Sequence, residues 1–132
     1  MRFSAITILA AVVLSGPAQA QSTPPASGTA QFIRINDNAL LSSRIIGLNI
    51  TSNSGEKLGT IEDVVFAGGQ LSGIILSVGD VLGGSERYIA ADPSALSVNY
   101  NEADGKWQAK MNAKLEQLKS APEFRYEGKW KR

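Results

Sequence analysis

The chain contains no histidine and no cysteine. Without imidazole or thiolate there is no Ser-His-Asp or Cys-His catalysis, no imidazole general base, and almost no zinc or haem ligand set. The absence of cysteine also excludes a disulfide framework and a lipid-attachment thiol. Long apolar runs are missing too. The one that exists, Ala5 to Leu14, is well short of the roughly 20 residues that span a bilayer. What chemistry is left rests on carboxylates, lysine and serine, so a non-enzymatic role without a cofactor is expected.

The apolar run follows the positive start Met1-Arg2 and precedes the small residues Ala18-Gln19-Ala20. That order predicts a secretory signal peptide over residues 1–20, cleaved after Ala20. A periplasmic or secreted protein of 112 residues is the expectation, with no transmembrane segment in the mature form. Residues 21–31 are rich in Pro, Ser and Thr and poor in bulky apolar side chains, so they read as a flexible leader. One domain is all the remainder can build.

Charge is unevenly spread although the sum is only +1. Residues 31–105 hold four basic and nine acidic residues, whereas residues 106–132 hold eight basic and three acidic ones. An acidic body therefore carries a basic tail, and mutual attraction of the two accounts for the pattern more simply than nucleic-acid binding.

Alternating apolar positions predict short strands. Ile46, Leu48 and Ile50 read as a first strand and Ser52 to Gly55 as a turn. Leu58 to Val65 alternates with neither face purely apolar, and Gly68-Gly69 turns the chain into Leu71 to Val78, the most apolar strand and the candidate for the centre of the sheet. Gly79 to Gly84 is a wider connection before Arg87 to Ala91, which Asp92-Pro93 ends. Leu96 to Tyr100 and Lys106-Trp107 form a last pair about Asp104-Gly105. A short helix follows, with Asn112 as its cap, Leu115 and Leu118 on its buried face, and Pro122 as its stop.

The glycine and apolar spacing over Ile46 to Ala90 resembles the PRC-barrel family. The resemblance rests on Ile46-Gly47, on Gly55-Glu56-Lys57-Leu58-Gly59-Thr60-Ile61-Glu62-Asp63-Val64, on Gly73-Ile74-Ile75-Leu76-Ser77-Val78-Gly79, and on Leu82-Gly83 ahead of Tyr88-Ile89-Ala90. It implies a mainly β fold, a small barrel of about six short strands over residues 32–109, with a C-terminal helix and a basic, aromatic tail over residues 110–132. It implies structural roles for Gly47, Gly55, Gly59, Asp63, Gly73, Gly79, Leu82 and Gly83. Related exported members are similar again at Leu118-Lys119-Ser120-Ala121-Pro122-Glu123-Phe124, although Lys114 stands where that pattern has a threonine cap. Asp80 and Val81 replace a glycine and an aromatic residue of the family connection. The family is one of docking modules without shared catalytic residues.

Other motifs are weak. Glu62 and Asp63 are adjacent, so on a regular strand they face opposite sides and cannot act together unless a bulge intervenes. Asp80, Glu86 and Asp92 have no EF-hand spacing. Gly79 to Gly84 lacks the lysine of a phosphate loop. Asn49-Ile50-Thr51 matches a glycosylation acceptor but falls inside a strand.

Phe66, Tyr88 and Trp107 are expected in the core or at a barrel end. Phe124, Tyr126 and Trp130, interleaved with Lys129 and Lys131, are the candidate partner-contact residues. Phe124 and Tyr126 are expected to fold back on the barrel and Trp130 to stay free. The leading expectation is a protein-binding module of the cell envelope. Its alternative is an envelope stress protein that holds a small ligand or divalent cation, and exposed strand edges add an expectation of homodimers.

Overall fold

A computed structural model describes residues 15–17 and 23–132. The expected signal peptide and its cleavage site thus lie outside the described residues, apart from Ser15-Gly16-Pro17. Residues 23–34 carry no helix or strand, and every described element lies within Ile35–Arg132. None of the described helices is long and apolar enough to cross a membrane.

A single helical turn, α1 (Ser42–Ile45), buries Ile45 and leads into β1 (Asn49–Ser52). Ile46, placed by its sequence in the first strand, instead ends this turn and is exposed. The long β2 (Lys57–Ala67) and β3 (Gln70–Ser77) form a hairpin about Gly68-Gly69. The wide connection expected next contains a one-turn helix, α2 (Gly79–Leu82), which packs Val81 and Leu82 on the core before β4 (Tyr88–Ala91). A 3-10 turn at Pro93–Ala95, capped by the Asp92 carboxylate, opens β5 (Leu96–Asn101), which pairs with β6 (Lys106–Met111). Last come α3 (Leu115–Ser120), the two-residue β7 (Glu123–Phe124) and a 3-10 turn at Gly128–Trp130.

The seven strands form one sheet in the order β5-β6-β1-β2-β3-β4-β7. All neighbours are antiparallel except β1 and β6. The middle of the sheet is β2, not the more apolar β3 beside it. The seventh strand is β7, from the segment assigned by sequence to the tail.

Two irregularities in β2 explain why no face of it looked apolar. Ile50 pairs with Gly59 and Thr51 with Lys57, leaving Leu58 as an extra residue; Ile61 pairs with Leu76 and Asp63 with Ile75, leaving Glu62 as another. Each bulge slips the alternation by one residue. Core residues therefore fall at Leu58, Ile61 and Val64, three apart. They meet Ile50, Ile74, Leu76, Val78 and Ile89 in one cluster, which Leu118 of α3 joins.

The family-pattern residues divide into several kinds. Gly47, Gly55 and Gly83 occupy turns at the ends of α1, β1 and α2. Gly59 (φ +153°) and Gly79 answer to close approach, since a Cβ there would stand 2.6 Å from the Ser77 carbonyl oxygen and 2.5 Å from that of Ser85. Leu82 packs on the core. Gly73 is different: a Cβ would meet Val65 at an ordinary 3.5 Å.

The start of α3 corrects a sequence expectation. Lys114, not Asn112, is the capping residue, and its backbone N–H donates to the Gln117 side chain at 2.8 Å. A glutamine three residues in supplies half of a capping box without the usual serine or threonine. At the other end of α3, Arg87 donates from one nitrogen to the carbonyls of Lys119 and Ala121, each at 3.0 Å. A cation on unpaired carbonyls at a helix C-terminus is the favourable placement.

Candidate functional site

Pro122 stops the helix, and β7 then adds to the edge of β4, pairing Phe124 with Tyr88 and Glu123 with Ile89. This short ladder brings the rest of the segment back over β2 and β3, on the face opposite the main core. Phe124 and Tyr126 meet edge to face at 4.9 Å, and Tyr126 meets Tyr88 the same way at 5.1 Å and 85°. The expectation that Phe124 and Tyr126 fold back thus agrees with the geometry. Trp130, 57% exposed, stands 5.9 Å from Phe124 with Lys129 over its ring at 5.4 Å.

Between this segment and the hairpin runs an open groove of about 720 Å³. Its lining includes Val65, Gly73, Ile75 and Ala90, with Phe66 and Trp130 among the flanking residues. Ile75 is only 1% exposed although it is outside the main core cluster; Phe124 and Tyr126 line the same groove. Phe66, expected in the core, is 66% exposed: it lies near the hairpin tip, beyond a further register shift between Val65 and Phe66 that leaves Ser72 of β3 as the extra residue. Gly73 keeps the groove open opposite Val65. Lys131 faces the other side of Tyr126, in a smaller depression shared with Glu86 and Glu123.

At one end of the groove is a polar constellation built on the adjacent acids Glu62 and Asp63, with Arg132 as a member that the sequence did not single out. The bulge at Glu62 satisfies the condition under which the two adjacent acids can act together. Arg132 donates to the Glu62 carboxylate at 2.6 Å and lies 3.9 Å from Oδ2 of Asp63. Its guanidinium carbon sits 3.8 Å from the Tyr126 ring centre and 5.9 Å from that of Tyr88. Asp63 accepts from the backbone N–H of Val64 through Oδ1 at 2.9 Å, which leaves Oδ2 toward the Tyr126 hydroxyl at 3.4 Å. Tyr88 in turn donates to Glu86.

Burial, and after it the nearby carboxylates Asp63 and Glu62, raise the Tyr126 pKa above its ordinary 10.0; Arg132 opposes them. The hydrogen bond to Glu62 holds Arg132 more firmly protonated still.

The acids weighed for a divalent cation stay apart in role. Asp92 caps the 3-10 turn through Ser94, Glu86 accepts from Tyr88, and Asp80 lies in the first turn of α2. Among the described residues no three carboxylates converge as a metal set. At the other end of the sheet Trp107 pairs across strands with Tyr100 at 5.2 Å, the end packing expected of it.

A bulged, mainly β seven-stranded sheet around one small core, with its C-terminal segment laid over the outer face, defines a small, mainly β module. The PRC-barrel domain matches residues 37–107, 71 of the 132 residues, and the chain belongs to that family. No curated protein matches the chain.

Proposed function

We infer that the chain is a non-catalytic protein-binding module that acts in the cell envelope, docking a partner across the groove between the β2–β3 hairpin and residues 123–132. The observation that carries this reading is the exposure of Phe66 and Trp130 along one apolar depression. Exposed apolar surface gathered in one place marks interaction sites on small proteins, and tryptophan is a common anchor in them. The envelope location rests on the signal sequence read from residues 1–20. A docking role also suits a chain without imidazole or thiol. The alternative reading, a divalent-cation or small-ligand protein, has no specific observation in its favour.

A photo-crosslinking amino acid at position 130, expressed in living cells and followed by mass spectrometry, tests the proposal. One dominant protein adduct is the expected result. Adducts confined to the chain's own hairpin would reduce the segment to a structural cover and overturn it.

A further inference from the structure

The constellation around Arg132 has the composition of a receptor for an organic cation. Two tyrosines offer ring faces at nearly a right angle, and two carboxylates close the same space. The faces of aromatic rings attract cations, and carboxylates add charge-assisted hydrogen bonds. Each wall comes from a different place: Glu62 and Asp63 from the β2 bulge, Tyr88 from β4, Tyr126 from the segment that β7 anchors. The occupant is the chain's own arginine.

We propose that Glu62, Asp63, Tyr88 and Tyr126 form a guanidinium cage, filled here in cis by Arg132 and open by exchange to an arginine side chain of a partner protein. The proposal rests on the docking reading for the source of that arginine. The cage adjoins the groove, since Asp63, Tyr126 and Arg132 line both, so a segment lying in the groove reaches it with one side chain.

Three features support exchange. The Arg132 side chain is 50% exposed and that of Glu62 28%, so the contact is reached from solvent and held only by part-screened forces. Asp63 is oriented by the Val64 N–H and needs no cation to hold it. The walls also meet one another directly, through the Tyr88–Tyr126 and Tyr126–Asp63 contacts.

The geometry distinguishes among cations. A hydrogen bond of 2.6 Å to Glu62 requires an N–H donor, which quaternary ammonium lacks. Lying over the Tyr126 ring at 3.8 Å while one nitrogen donates to Glu62 and the other stands 3.9 Å from Asp63 suits a planar fork better than a compact lysine ammonium.

The test uses the purified full chain and its Arg132→Gln variant, titrated with N-acetyl-arginine methylamide, with its lysine counterpart and with tetramethylammonium. The Tyr88 and Tyr126 ring resonances report occupancy. Arg132→Gln is expected to bind the arginine probe at least about tenfold more tightly than the wild type, because competition in cis is removed. Adding Glu62→Gln is expected to abolish the gain. Equal affinity in wild type and variant, indifference to Glu62→Gln, or equal binding of tetramethylammonium would overturn the assignment. So would loss of the Tyr88–Tyr126 nuclear Overhauser contact in Arg132→Gln, since the cage must stand without its own arginine. A crosslink at position 130 without probe binding removes the cage and leaves docking intact; probe binding without any partner adduct does the reverse.

Discussion

Glu62 and Asp63 are neighbours in the chain, yet both carboxylates face the guanidinium of Arg132. A regular strand would have sent them to opposite sides of the sheet. The extra residue in β2 cancels that alternation and gives a segment 70 residues away its attachment point.

Release of that attachment is the first expected effect. Glu62→Gln should leave the core intact and speed amide hydrogen exchange at Phe124 and Tyr126 a few-fold, with high salt acting in the same direction on the wild type. Unchanged exchange would mean that the β4–β7 ladder and the tyrosine contacts hold the segment alone.

Arg87 ties β4 to the end of α3. Arg87→Ala is expected to cost about 1–3 kcal/mol in denaturant unfolding, the scale of hydrogen bonds from a charged donor to carbonyls. Arg87→Lys should recover only part of it, because the shorter lysine side chain must carry a compact, strongly hydrated ammonium to the same two carbonyls.

Two of the buried family glycines, Gly59 and Gly73, should respond differently to alanine. At Gly59 the added Cβ meets a backbone oxygen at 2.6 Å and the φ of +153° is strained for any side chain, so a loss of about 1–3 kcal/mol is expected. Gly73→Ala should stay within about 1 kcal/mol of the wild type, while narrowing the groove and weakening partner crosslinking at position 130. Chemical denaturation of both variants separates the roles.

Tyr126 makes stability sensitive to alkali. Its folded pKa is raised, so its contribution is complete below the ordinary value of 10.0 and is lost as pH rises through the higher folded value. Tyr126→Phe should flatten that alkaline decline. The acid side works oppositely at Asp92, whose bonds to the Ser94 hydroxyl and backbone N–H lower its pKa below 3.8. Its contribution is present above 3.8 and is lost as pH falls through the lower folded value. An NMR titration of the Asp92 carboxylate should give a midpoint below 3.8, and Asp92→Asn should remove this part of the acid dependence.

Local features were legible without the fold. Gly68-Gly69 and Asp104-Gly105 marked their reversals, Pro122 marked the end of a helix, and the apolar run at Leu71 to Val78 became an interior strand, because turn chemistry and burial of a short strand depend on adjacent residues. Most of the family glycines were readable for the same reason: backbone that must turn or pass close to another segment tolerates little else, and Gly73 is the exception. The Asn112 cap failed because the Lys114 N–H found Gln117 instead, a choice between neighbouring starts that propensity does not resolve.

Residue type and spacing were thus enough to determine most of the strands, the turns, the family and the absence of imidazole and thiol. Only packing decided where Phe66, Glu62 and Arg132 would point. A bulge arises when the pairing of two strands is compared residue by residue, and its one-position slip reverses every later side chain. The meeting of Arg132 with Glu62 likewise depends on β7 finding the edge of β4. No pattern within either segment encodes that contact, since it exists only when strands distant in sequence share one sheet.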